Sequence, residues 1–117
     1  SKMTIQIYHN PRCSKSRQAL LILEKNGLKP TIIDYLKTPP DFDTIKGLLT
    51  MLKLKPGELV RKQESTYKAL IVKNGSLNND ELIKAMVENP ILIQRPIVTN
   101  RGQAIIGRPP EKVLSII

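Results

Sequence analysis

The sequence predicts an α/β protein built on a mixed four-stranded sheet, with elements in the order β-α-β, helical insertion, β-β-α. Three observations carry this expectation. A short alternating run near the N-terminus gives way to a helical period, a second β-branched run follows Pro30, and two short apolar runs flank Asn100-Arg101-Gly102.

Residues 4–8, within a strand-like run from Met3 to Tyr8, alternate with β-branched side chains and predict the first strand. Residues 16–26 place Ala19, Leu20 and Leu23 on one helical face, and Gly27 suits the left-handed residue that closes a helix. Residues 31–36 form the second strand, so strand, helix and strand imply a right-handed parallel crossover. Pro39-Pro40 interrupts the chain. Asp41 or Asp43 then caps a helix to about Leu54, with Ile45, Leu48, Leu49 and Leu52 inward. Pro56-Gly57 turns into a short helix around residues 58–62, and Asn79-Asp80 opens another that must end before Pro90. Residues 97–99 and 103–106 read as a β-hairpin. Pro109 sits where a first helical residue would, and residues 111–117 supply Val113, Leu114 and Ile117 for a last helix against the sheet.

A chain of 117 residues is the size of one domain, and no repeat or flexible linker divides it, so residues of about 40–90 read as a helical insertion. One cysteine closes no intramolecular disulfide, and with a single histidine the chain supplies no zinc site of the usual kind; no metal or bound cofactor is expected. The formal charge of +9 favours anionic partners. Its lysines are scattered, with three Tyr, one Phe and no Trp, a pattern that argues against nucleic acid. No apolar run approaches the ~20 residues of a membrane span, and Ser1-Lys2-Met3 begins no signal core, which with a lone free thiol predicts a cytoplasmic protein.

Cys13 stands where the first strand gives way to the first helix. A thiol on the first turn of a helix meets unpaired N–H groups and the positive end of the dipole, which favour thiolate and attract anions. His9, Arg12, Lys15 and Arg17 surround it with basic groups, and Ser14 and Ser16 with hydroxyls. The element order, with a cysteine after the first strand and Pro96 before the third, is the thioredoxin-like (glutaredoxin-like) arrangement, in which that proline is often cis and faces the cysteine loop. Cys13-Ser14-Lys15-Ser16 places a serine where a dithiol oxidoreductase carries its second thiol, so a resolving thiol must come from outside.

The chain resembles the glutaredoxin-coupled, glutathione-dependent arsenate reductases of bacteria, in particular their short arsenate-reductase-like branch, over essentially its whole length. The resemblance rests on residues 8–17 (Tyr8-His9-Asn10-Pro11-Arg12-Cys13-Ser14-Lys15-Ser16-Arg17), on Arg61 after Glu58-Leu59-Val60, on residues 89–98 with Gln94-Arg95-Pro96, and on Gly107-Arg108-Pro109-Pro110. It implies Cys13 as nucleophile, His9 and Ser16 as residues that help keep it ionised, and Arg61, Arg95 and Arg108 as oxyanion-binding arginines. It also implies arsenate or a similar oxyanion as substrate, glutathione as co-substrate and glutaredoxin as partner. Guanidinium groups suit this task physically, because they stay protonated and fork onto two oxygens of a tetrahedral anion. Three alternatives accompany this reading. An Spx-like regulator of RNA polymerase commonly carries a C-x-x-C switch, which Ser16 removes. A cysteine phosphatase needs arginine six residues after its nucleophile, where this chain has Ala19. A glutathione-dependent reductase of another oxyanion or thiol substrate would use the same groups.

Overall fold

The computed structural model describes residues 5–117; Met3 and Thr4 of the first predicted strand lie outside them. Four strands form one mixed sheet in the order β2-β1-β3-β4. β1 (Gln6–His9) runs parallel to β2 (Thr31–Asp34) and antiparallel to β3 (Ile97–Asn100), and β3 pairs antiparallel with β4 (Gln103–Ile106). This is the predicted thioredoxin-like sheet. Ile7 lies between Ile32 and Val98 in register. Because β1 and β3 are central strands, Ile7, Ile97 and Val98 are fully buried, whereas Ile32 on the edge strand is exposed.

By their internal contacts the described residues form two compact units, those up to residue 38 with 95–117 and residues 39–94. In the first, α1 (Ser14–Lys25) begins two residues earlier than the apolar period indicates, with Cys13 as its N-cap. Its end is a Schellman motif. Gly27 is at φ 77°, its N–H donates to the Glu24 carbonyl (3.0 Å), and the Leu28 N–H donates to the Leu23 carbonyl (3.1 Å). Ala19 and Leu23 of α1 pack with Ile5, Ile7, Val98 and Val113 as the core.

The last element is a 3₁₀ helix, Pro110–Ile116, with Pro109 as its cap residue and Pro110 as its first. A period of three stacks Pro110, Val113 and Ile116 on one side, so Val113 is fully buried while Leu114 and Ile117, expected inward on an α-helical period, are exposed. Between β3 and β4 the two-residue turn holds Arg101 at φ 56° and Gly102 at φ 75°, the left-handed pair that a tight hairpin requires.

In the second unit, Asp41 caps α2 (Phe42–Leu52) by accepting from the Thr44 N–H at 2.8 Å. Ile45, Leu48 and Leu49 are buried and Leu52 half-buried. α3 (Pro56–Leu59) starts earlier than the expected 58–62, because Pro56 is preset for a first helical residue and Glu58 accepts from the Lys55 N–H at 2.9 Å. Arg61 and Lys62 therefore follow this helix. α4 (Ser65–Asn74), which the apolar pattern does not delimit, buries no residue completely. α5 (Asn79–Glu88) opens with a capping box in which Asn78 accepts from the Glu81 N–H (2.8 Å) and Glu81 accepts from the Asn78 N–H (2.9 Å). Its Leu82, Ile83, Ala85 and Met86 are buried, and the helix packs on α2, α3 and a 3₁₀ turn at Pro90–Leu92. An antiparallel bridge pairs Val60 with Ile93.

Candidate active site

The site begins where β1 ends. Residues 10–13 form a tight turn closed by the Cys13 N–H donating to the Asn10 carbonyl at 3.0 Å, with Pro11 in the position whose φ a proline presets. The Asn10 side-chain oxygen accepts from the Arg12 N–H (3.0 Å), and Arg17 reaches back from α1 to donate to the Pro11 carbonyl (2.8 Å). Arg17, one of the basic groups around Cys13 in the sequence, is thus also a clamp on the cysteine turn.

Beneath the turn lies a small buried polar network. Ser16 is fully buried, and His9 and Asn10 nearly so. The Ser16 hydroxyl oxygen accepts from the Asn10 N–H (3.0 Å) and pairs with His9 Nδ1 (2.6 Å). These bonds satisfy polar groups that would otherwise be stranded in the core, and they tie the first turn of α1 to the end of β1. Burial holds the His9 pKa below the ordinary imidazole value; Asp34, its partner in the parallel register, pulls it up, and Arg17 pushes it down. His9 is therefore a neutral ring near pH 7, acting on the loop through hydrogen bonding rather than as a cation.

Cys13 is half-buried and free. Burial pushes its thiol pKa up, but the backbone N–H groups of Ser16 and Lys15 and the Arg95 guanidinium more than offset this and leave it below the ordinary thiol value. No side-chain capping hydrogen bond of standard geometry forms at this N-cap, so the amides act on the sulfur as aligned dipoles. Arg108 adds a direct contact, its Nη2 donating to Sγ at 3.6 Å. The Arg108 Nε–H donates in turn to the Arg95 carbonyl at 2.7 Å, which fixes the plane of the guanidinium.

Arg95 and Arg108 each precede a cis proline, Pro96 and Pro109. The two segments are joined, because the Gly107 N–H donates to the Pro96 carbonyl at 2.9 Å. A Cβ at Gly107 would lie 2.9 Å from Pro96 Cγ, 3.2 Å from Val113 Cγ1 and 3.4 Å from Ala19 Cβ, so only glycine fits this approach. Ala19, where a cysteine phosphatase would carry its arginine, is a core residue. The structure thus brings Cys13, His9, Ser16, Arg95, Pro96 and Arg108 into one unit.

Arg61 belongs to the other unit, within residues 39–94. Its Nε donates to Glu64 Oε2 (3.1 Å) and its Nη1 to Gln94 Oε1 (2.7 Å). Neither acceptor is distinguished by sequence reasoning; Gln94 stands inside the Gln94-Arg95-Pro96 motif, and that position is the one signal for it. Among the described residues no three His, Cys, Asp or Glu side chains cluster as metal ligands, and no helix is long and apolar enough to cross a membrane.

These features define the class: an α/β protein whose thioredoxin-like sheet sets a lone thiol beside two guanidinium groups. Within that class the chain belongs to the ArsC family, whose sequence pattern it matches over residues 8–116. It is 50% identical over 114 residues to YfgD of Escherichia coli strain K12, described as uncharacterized, covering 97% of this chain and 96% of that protein. It is 41% identical over 114 residues to the arsenate reductase of Neisseria meningitidis serogroup A, covering 97% of each. The solved structure of an arsenate reductase from Vibrio cholerae superposes with a TM-score of 0.94 at 46% identity, covering 100% of both chains.

Proposed function

We propose that this protein is a cytoplasmic oxidoreductase that reduces arsenate to arsenite through a Cys13-bound arsenic intermediate, with glutathione and glutaredoxin as its thiol partners. The observation that carries the reading is the Cys13 sulfur itself, held below its ordinary pKa by amide dipoles and Arg95 and contacted by Arg108 at 3.6 Å. The arsenate reductase relatives support arsenate as the substrate, and the surroundings of the sulfur support a thiolate mechanism.

The Cys13 thiolate attacks arsenic; a sulfur–arsenic bond forms and an arsenate oxygen leaves as water after protonation. Arg95 and Arg108 hold the remaining oxygens and offset their charge. Arg61 is assigned to the same oxyanion on the motif resemblance. Glutathione then adds to arsenic with loss of a second water. Glutaredoxin thiolate attacks the glutathione sulfur, forming a mixed disulfide and leaving the electron pair of the broken bond on arsenic, which becomes trivalent. Hydrolysis releases arsenite and restores the Cys13 thiol. Two thiols are oxidised to one disulfide as arsenic gains two electrons. The chain has one cysteine, so it cannot supply the second thiol itself. His9 and Ser16 keep the turn in the shape that presents the amides to Cys13.

The test is arsenite formation from arsenate with glutathione and glutaredoxin, run beside Cys13→Ser. The wild-type protein is expected to turn over and the serine variant to be inactive; arsenite formation by the serine variant, or none by the wild type, would refute the assignment. Arg108→Lys keeps the charge but loses the planar fork and the paired contacts to Sγ and the Arg95 carbonyl. It is expected to lose at least about tenfold in kcat/KM with its fold intact.

A further inference from the structure

Arg61 is not a loose surface cation. Its side chain is 12% exposed and Glu64 is 26% exposed, so their ion pair is only partly screened by water. Both groups that receive its N–H bonds are on a fixed backbone. The Arg61 N–H donates to the Leu92 carbonyl (2.7 Å), the Gln94 N–H donates to the Leu59 carbonyl (3.1 Å), and these bonds flank the bridge between the buried Val60 and Ile93. The Glu64 N–H donates to the Arg61 carbonyl at 3.3 Å, turning the chain so that the carboxylate returns to Nε. Two different edges of the guanidinium are therefore occupied, one by a carboxylate and one by an amide oxygen.

A guanidinium has five N–H donors. Two are used here, which leaves three of them without a partner among the described residues. An arginine whose sole purpose was an ion pair with Glu64 would gain nothing from a second acceptor 33 residues away in sequence. Holding it at Nε and Nη1 has a different consequence. The rotamer freedom of a long side chain is lost during folding, and the remaining donors meet an incoming anion already oriented.

We infer that Glu64 and Gln94 are positioning residues that hold the Arg61 guanidinium oriented for a tetrahedral oxyanion. The inference rests on the reading of Arg61 as an oxyanion ligand given above. Gln94 is neutral, so it orients the group without weakening its charge. Glu64 offsets part of that charge, and its worth lies in direction rather than attraction.

Protection of Cys13 from iodoacetamide by rising arsenate without added thiols, followed by mass spectrometry, tests this apart from turnover. Gln94→Leu and Glu64→Ala are expected to raise the half-protecting arsenate concentration about tenfold, whereas Glu64→Gln, which keeps an acceptor for Nε, holds it within about twofold. In an Arg61→Ala background the first two substitutions should add nothing. In turnover the same variants should raise KM for arsenate and leave kcat near wild type, with unchanged thermal midpoints. Unchanged protection in Gln94→Leu and Glu64→Ala, an equal loss in the Arg61→Ala background, or no protection of the wild-type protein by arsenate would overturn the inference. Protection that follows the expected pattern without any arsenite formed would instead refute the reductase reading and leave the positioning roles standing.

Discussion

At the scale of single residues, the chemistry depends on how a few polar groups share a small buried space. The Cys13 thiol has a pKa below its ordinary value because the dipoles and cations around it outweigh the cost of its partial burial. Iodoacetamide is expected to alkylate it with an apparent pKa below the unperturbed value of about 8.5. A rate profile that titrates at or above that value would remove the basis of the nucleophile. Ser16 serves two partners with one hydroxyl. Ser16→Ala leaves both the Asn10 N–H and His9 Nδ1 without it in the core, so we expect a loss of about 1–3 kcal/mol in urea unfolding together with a raised Cys13 pKa. The roles of Cys13, Arg95 and Arg108 are suggested by residue type and motif. The clamp made by Arg17, and the use of Ser16 as a hydrogen-bond bridge rather than as a vacant second-thiol position, are not, because both depend on where the turn points these side chains.

At the scale of elements, the site is made by ends rather than middles: the end of β1, the cap of α1, the residue before β3 and the residues after β4. Gly107 sets the distance between two of these. Gly107→Ala would drive a methyl group against the stiff Pro96 ring and against Val113, and overpacking of this kind costs about 1–3 kcal/mol. The expected outcome is a thermal midpoint lowered by several degrees and a fall in arsenate reduction, since Arg108 is the next residue in the chain. A stable and fully active alanine variant would show that the close approach does not position Arg108. The elements themselves are mostly readable from the sequence, since the strands are short, mostly β-branched runs between turn signals, Asp41 caps α2 and Gly27 closes α1. Two are not. α4 carries its apolar residues without a strong stripe, and the C-terminal helix follows a period of three set by consecutive prolines, so Leu114 and Ile117 face solvent.

At the scale of the whole molecule, one titration is unusually clean, because the chain has a single histidine. The folded pKa of His9 is lowered, so between it and the ordinary value near 6.5 the unfolded chain holds a proton that the folded protein does not. Stability is therefore expected to rise with pH through that window and to level off above it. Thermal melts between about pH 5 and 7 check this, with His9→Asn as the control that should flatten the slope. A wild-type slope of zero would mean that burial leaves the imidazole unshifted, and one of opposite sign that the native state retains its proton; either would overturn the expectation. The mixed sheet, the parallel crossover and the place of a lone cysteine at a strand–helix junction are legible in the sequence, because periodicity, turn chemistry and a count of cysteines are local properties of the chain. Not legible there are the lowered pKa of His9, the mutual locking of the Arg95 and Arg108 segments, and the two acceptors that hold Arg61. Each of those depends on distances between residues remote in sequence, and hydrogen bonding and Coulomb interactions fall off too steeply with distance and angle to be inferred from order alone.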